Sequence, residues 1–277
     1  MTILKTLIAG GQVCLRRSYA TSSKFIETTR DNEIEIISMA RKPVNSLNVE
    51  LLSELKASLL EAQNSRSKGI ILTSSLPTVF SAGLDIMEMI TTDKEKLSNF
   101  WQTLQDTWLT IYSMTIPIAA AINGSSPAGG CLLALSTEYR VMVEGKYTIG
   151  LNETKLGIVA PKWFRDMFIS AIGYRQAELA LLRGTLFKSE KALQLGLVDE
   201  LAKDKTDTIE KCKNYILFYN NIPGFGRTGT KLDLRNDLIQ WMKKNKQADI
   251  DVFVNYIHSP KIQAGLKFYV ESLKQKQ

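Results

Sequence analysis

Three short segments of this 277-residue chain carry residue types suited to acid–base chemistry at a developing oxyanion. They are Phe80-Ser-Ala-Gly-Leu-Asp85, Ser126-Pro-Ala-Gly-Gly-Cys131 and Ile149-Gly-Leu-Asn-Glu-Thr-Lys-Leu-Gly157. In the first, Ala82-Gly83 lets the backbone turn without side-chain hindrance. The N–H of Leu84 can then point into a cavity at the start of a helix, where the dipole favours negative charge. In the second, Asn123-Gly124 turns out of a buried strand, Pro127 stiffens the loop and Gly129-Gly130 opens a helix. The first N–H groups of a helix have no intrahelical acceptor, so that of Gly129 is a second candidate donor. Two such donors on one oxygen would stabilise an enolate or a tetrahedral oxyanion, and losing one typically costs ~2.7–4 kcal/mol of barrier stabilisation.

The third segment supplies the base. Glu153 lies among Ile149, Leu151, Leu156, Ile158 and Val159. A carboxylate in apolar surroundings is desolvated, which raises its pKa toward working pH and makes it a base, then an acid. The position after Cys131 is Leu132, so no second carboxylate stands there. One base without a partner suggests moving a proton, not adding water. Each segment also has a plainer reading. Ser-Ala-Gly marks turns, Gly-Gly permits close helix packing, and Glu153 could be a surface loop residue paired with Lys155. His258, the single histidine, precedes Ser259-Pro260 and has no nucleophile elbow to serve in a triad. Cys14, Cys131 and Cys212 are odd in number and widely spaced, against a disulfide framework or a metal site.

These segments need a scaffold, and the apolar periodicity outlines one. Phe25–Arg30 and Ile34–Met39 read as paired strands around Asp31-Asn32. Leu47–Asn64 and Asp93–Ser113 read as amphipathic helices, with Asn48 as an N-cap. Gly69–Thr73, Pro117–Ile122 and Tyr139–Val143 read as buried strands, and Gly130–Ser136 as a short buried helix. This alternation predicts an α/β architecture. After Pro161 helices dominate: Lys162–Ile172, Tyr174–Arg183, Ser189–Leu195, Thr206–Asn220, Leu232–Lys243, and stretches near Ile250–Ile257 and Lys261–Lys274. A last strand is expected at Leu197–Leu201. The aromatic residues of this tail read as core or subunit interface.

Composition sets outer limits: 44% hydrophobic and 23% charged residues form an ordinary globular profile. No apolar run reaches the ~18 residues of a spanning helix, so membrane insertion is not expected. Of the net charge of +7, +3 sits in residues 1–19, which contain Lys5, Arg16 and Arg17 and no acid. With Arg17-Ser18-Tyr19 before Ala20, that composition predicts a mitochondrial transit peptide over residues 1–19, and hence a matrix location. The rival is a secretory signal over the apolar Leu4–Leu15, against which stand the two arginines that follow and the lack of a small-residue cleavage site. The C-terminus is not a Ser-Lys-Leu type address.

Taken together, FSAGLD, AINGSSPAGGC and IGLNETKLGIVAP resemble the crotonase (enoyl-CoA hydratase/isomerase) superfamily of acyl-CoA enzymes. LNETKLGI with PAGGC and no acid after the cysteine is similar to its branch of short-chain, monofunctional mitochondrial Δ3,Δ2-enoyl-CoA isomerases. The resemblance runs from about Phe25 to the C-terminus and includes Arg41-Lys-Pro-Val-Asn-Ser-Leu-Asn48. It implies a spiral of repeated ββα units over residues 24–202, with a C-terminal helical region, 203–277, involved in oligomerisation and a homotrimeric assembly. By position it implies Glu153 as the catalytic carboxylate and the Leu84 and Gly129 N–H groups as the oxyanion hole. It also implies a substrate-binding role for Ala82, Gly83, Leu84, Asp85, Ile86, Gly129 and Asn152. The implied substrate is an acyl-CoA, and the implied reaction shifts a 3-enoyl double bond to trans-2 during β-oxidation of unsaturated fatty acids. No metal, flavin or nicotinamide is implied; CoA belongs to the substrate. Lys42 is a candidate for the CoA phosphates by location only. Enoyl-CoA hydratase, a dienoyl-CoA isomerase, which would want an additional carboxylate that the sequence does not locate, and a non-catalytic acyl-CoA- or RNA-binding relative stay open as alternatives. Against RNA, Glu50, Glu54 and Glu61 face Lys56 on the first helix, which therefore lacks a basic stripe, and nucleic acid is not an expected partner.

Overall fold

The computed structural model describes residues 23–274, so the expected transit peptide lies outside the described residues. Two strands open the chain, β1 (Ile26–Asp31) and β2 (Ile34–Met39), antiparallel with Ile26 opposite Met39. Helix α1 (Val49–Asn64) follows, capped by Asn48, whose side chain accepts from the Leu51 N–H. Such a cap is worth ~1 kcal/mol. The helix buries Leu51, Leu52, Leu55, Leu59 and Ala62, the face its apolar spacing predicts.

Strands β3 (Gly69–Ser74), β4 (Ile118–Ile122), β6 (Tyr139–Val143) and β9 (Glu200–Ala202) extend the sheet in the order β1-β2-β3-β4-β6-β9, parallel from β2 onward. Every residue of β3 and β4 is buried, which explains why both read as continuous apolar runs. Successive side chains point to opposite faces. Ile70, Leu72, Ile118, Ala120 and Ile122 enter the main core. Ile71, Ala119 and Ala121 instead meet Cys212 and Ile216 of α8 (Lys205–Phe218) on the other face.

A second sheet, order β5-β7-β8, is built from three short strands the sequence reading did not contain: β5 (Ser126–Pro127), β7 (Thr148–Gly150) and β8 (Phe187–Lys188). Two turns of the chain repeat one path. From β4 it enters β5 and then α4 (Gly129–Ser136); from β6 it enters β7 and then a 3-10 turn at Glu153–Leu156. Strand of one sheet, strand of the next, then a helical turn is the repeating unit of the spiral. Parallel pairing of β5 with β7 therefore places the starts of α4 and of the Glu153 turn side by side.

Between these elements lie α2 (Ile86–Met89), α3 (Lys94–Tyr112), α5 (Lys162–Ile172), α6 (Tyr174–Arg183) and α7 (Ser189–Leu195). Two expectations need correction. The last strand starts at Glu200, not Leu197, because the Leu197 and Val198 N–H groups are used by Ala192 O in closing α7. And the two helices expected at Leu232–Lys243 and Ile250–Ile257 are one, α9 (Gly224–Ile257), 34 residues long. The polar stretch between those two ranges is held against α3. Lys246 pairs with Asp106, and Asp249 accepts from Trp101 and Gln105. Farther up, Arg235 donates to Tyr112 O, Ser136 O and Thr137 O, covering carbonyls at the C-terminal ends of α3 and α4. Helix α10 (Pro260–Lys274) ends the fold, tied back by Gln263 Nε2 to Met89 O.

Candidate active site

Phe80–Asp85 crosses the start of α1. Leu47 N–H donates to Gly83 O and Asp85 N–H donates to Leu47 O, a parallel bridge between Leu47 and Leu84. In that pairing the N–H of Leu84 points away from Leu47, and it makes no hydrogen bond among the described residues. Gly83 has φ +93°, a conformation that side chains disfavour, so the turn depends on glycine here. Its carbonyl is used by Leu47, and its N–H donates to Ser81 Oγ. Asp85 caps α2 through the Met87 N–H and pairs with Arg41 at 2.8 Å. Gly83 and Asp85 thus hold the segment in place, while Ala82, Leu84 and Ile86 line the adjoining cavity.

The second loop reaches the same point. Gly129 is the first residue of α4, and its N-cap Ala128 gives no side-chain hydrogen bond. The Gly129 N–H is therefore free, as the first N–H groups of helices are. Ala128 sits at φ +50°, ψ −118°, an uncommon conformation for a residue with a Cβ, and its own N–H donates to Gly150 O of β7. Strain at one residue is a feature of sites that must aim a backbone group. A Cβ placed on Gly129 would lie 3.1 Å from Leu84 N, so the two candidate donors are neighbours. A Cβ on Gly130 would lie 2.5 Å from Ser81 O. Close packing and a free donor are thus both present, divided between adjacent glycines.

Glu153 opens the 3-10 turn after β7 and is 7% exposed. Neither of its carboxylate oxygens has a hydrogen-bond partner, and no ion pair with Lys155 forms. Lys155 is exposed. Burial pushes the Glu153 carboxyl up to about 7 from 4.5, against a smaller lowering by its own backbone N–H. A base with that pKa is half-ionised near neutrality, the condition for both taking and returning a proton. Asn152 lies beside it in the cavity lining, its Oδ1 buried and without a partner.

The cavity lined by Ala82, Leu84, Ile86, Ala128, Asn152 and Glu153 has a volume of about 690 Å³; Gly129 is buried next to Ala128 and does not itself line it. One wall is the Leu84 segment with Pro127 and Ala128; another is Glu153 through Lys162. The third comes from α9, where Trp241, Asn245, Asp249, Phe253 and Tyr256 project at helical spacing. That wall was missed in the sequence because α9 read as two helices with an interface role. The uninterrupted i, i+4 series through the lysine-rich stretch was the available signal. Tyr256 Oη donates to Gly157 O, fastening α9 to the Glu153 loop. Leu132 is fully buried. Among the described residues, Asp249, which the sequence did not single out, is the other acidic side chain lining the cavity. Lys42 is exposed and His258 caps α9; neither lines it. The described Cys131 and Cys212 are buried free thiols. Among the described residues no three His, Cys, Asp or Glu side chains gather as a metal site, and no helix is long and apolar enough to cross a membrane.

Comparison with known proteins gives this geometry a family. The enoyl-CoA hydratase/isomerase family model matches residues 29–277, spanning both glycine loops, Glu153 and α9. The chain belongs to the enoyl-CoA hydratase/isomerase family. Among its relatives, the mouse protein named mitochondrial enoyl-CoA delta isomerase 1 is 42% identical over 262 residues, 94% of this chain and 90% of the relative. The human protein of the same name is 38% identical over 269 residues, 96% of this chain and 88% of the relative. The crystal structure of human mitochondrial delta3-delta2-enoyl-CoA isomerase superposes with a TM-score of 0.89 at 38% identity, covering 92% of this chain and all of that one. An enoyl-CoA hydratase from Bacillus halodurans superposes with a TM-score of 0.79 at 25% identity, covering 88% and 99%. The enoyl-CoA hydratase/isomerase family thus accounts for the spiral core and the C-terminal helices together.

Proposed function

We propose that this chain is a Δ3,Δ2-enoyl-CoA isomerase, converting cis- or trans-3-enoyl-CoA to trans-2-enoyl-CoA for β-oxidation of unsaturated fatty acids. One observation carries the reading: a buried, unpartnered carboxylate with a pKa near 7 shares a cavity with Leu84, whose N–H makes no hydrogen bond among the described residues. The thioester carbonyl sits on the N–H groups of Leu84 and Gly129. Glu153 removes a proton from C2, and the charge of the resulting dienolate falls on the held oxygen. The same carboxylic acid returns the proton at C4. Fixed donors aimed at that oxygen stabilise the dienolate without reorganising during the reaction. Ala82, Ile86 and Asn152 contact the substrate around these groups. A proton carried by one carboxylate calls for no cofactor beyond the CoA of the substrate.

Relatives named as delta isomerases, matched over nine-tenths of this chain or more, support the isomerase over the hydratase. So does the pocket. Hydration needs a second acid–base group on the attacking water. Leu132 is apolar and buried, and Oδ2 of Asp249 already accepts three hydrogen bonds. The relatives' mitochondrial names and the acid-free, basic residues 1–19 support import into the matrix with removal of that leader. A homotrimer is the proposed assembly, to be checked by light scattering.

The test is a spectroscopic assay of protein lacking residues 1–19, given 3-enoyl-CoA and 2-enoyl-CoA separately. Formation of the conjugated 2-enoyl thioester, lost in Glu153→Gln, is the expected result. Efficient hydration of the 2-enoyl substrate, or full activity in Glu153→Gln, would overturn it.

A further inference from the structure

One carboxylate in the cavity is not used by the proposed chemistry. Oδ2 of Asp249 accepts from Trp101 Nε1 at 2.7 Å, from Gln105 Nε2 at 2.8 Å and from Trp163 Nε1 at 3.3 Å. Two indoles and an amide from α3 and α5 converge on one oxygen atom of α9. Hydrogen bonds to an ionised acceptor are the stronger kind. The indole of Trp101 is a wall of the cavity, stacked on Phe253 at 3.7 Å with an interplanar angle of 8°. Trp163 meets Trp101 edge-on at 5.6 Å. An indole in an apolar wall has no other acceptor to orient it, so the carboxylate decides how the ring lies. Asp249 itself occupies space in the same lining, so its side chain limits how far an alkyl chain can pass.

The geometry points to Asp249 as a specificity-determining positioning residue: by clamping Trp101 and Trp163 it fixes the wall of the acyl cavity and sets the chain length the enzyme accepts. This rests on the isomerase reading above, in which the cavity holds the acyl chain. Asp249 lies outside the proton transfer, so its replacement changes how far the chain reaches, not the chemistry at C2 and C4.

The experiment is a kcat and KM series on trans-3-enoyl-CoA substrates of six to fourteen carbons, with wild type, Asp249→Asn, Asp249→Ala and Trp101→Phe. Asp249→Asn keeps the volume and one carbonyl acceptor, and retains the wild-type chain-length profile. Asp249→Ala opens the cavity and shifts the optimum to longer chains, with kcat/KM rising relative to wild type by about fourfold per methylene newly accommodated, the worth of one buried CH₂. The change sits in KM, and kcat on the shortest substrate stays within about twofold. Trp101→Phe removes the clamped N–H and part of the wall, and shifts the profile the same way even if the alanine variant does not fold. Near-UV circular dichroism, which needs no substrate, changes in Asp249→Ala and not in Asp249→Asn. A profile that is unchanged, shortened or uniformly scaled down in the alanine and Trp101 variants overturns the inference, as does an unaltered indole spectrum in Asp249→Ala. Wild-type inactivity on the whole series would instead strike the isomerase reading and leave the indole spectrum to decide the clamp.

Discussion

The unpartnered burial of Glu153 has a thermodynamic consequence separable from catalysis. Its carboxyl titrates near 7 in the folded protein against 4.5 ordinarily, because burial disfavours the charged form. Between those values the folded state holds a proton that the unfolded state has released. Stability therefore falls as pH rises through this window, and levels off above about pH 8. The gap in pKa corresponds to roughly 3 kcal/mol. Glu153→Gln removes the ionisation and keeps the shape. Whatever constant cost its amide carries in the orphan site, that cost does not vary with pH. Relative to wild type, the variant should therefore gain about 3 kcal/mol between about pH 4.5 and pH 8.5, or about 6 °C in Tm for a protein of this size. Thermal or urea unfolding of both proteins across that range measures the difference. A gap that is flat with pH would refute the reasoning, because it would mean that Glu153 is solvated or paired in the folded protein. Inactivity of the variant alone would not, since loss of the base and relief of its burial are independent effects.

Three further outcomes follow from the same geometry. Log kcat/KM on a 3-enoyl-CoA should fall with unit slope below about pH 7, since the free enzyme must hold Glu153 ionised to act as base; a plateau down to pH 5 would contradict the raised pKa. Gly129→Ala puts a methyl 3.1 Å from Leu84 N, crowding both oxyanion donors, and should cost about 10²-fold in kcat, the scale of losing one such donor, with a smaller change in KM. Glu138→Ala strips the carboxylate from Arg227 and Lys231, whose side chains are 8% and 7% exposed, and should destabilise the fold by about 3–5 kcal/mol in denaturant titration while leaving the pH profile of any remaining activity in place.

Local chemistry wrote much of this protein openly in its sequence. The all-buried runs of β3 and β4 are apolar because both faces of a parallel strand are covered, and the five-residue face of α1 is spaced as a helix must space it. The turn glycines and the apolar neighbours of Glu153 were equally visible. So was the absence of an acid at Leu132. What those residues meet was not visible. Lys155, two residues away, is the obvious partner for Glu153 in one dimension, yet the 3-10 turn sends one side chain inward and the other to solvent. The approach of Gly129 to Leu84 depends on β5 pairing with β7, two short strands too brief for any periodicity to reveal. The length of α9 and the role of Asp249 lie further still from local patterns. Lys246 and Asp249 look like a solvated break until α3 supplies Asp106, Trp101 and Gln105 some 140 residues earlier in the chain. The sequence alone determined which groups could carry a proton and hold an oxyanion, because those are properties of residue types and their immediate neighbours. Only the tertiary structure decided that Glu153 is left unpaired, that the two donors are neighbours and that α9 closes the cavity, because each depends on contacts between segments far apart in the chain.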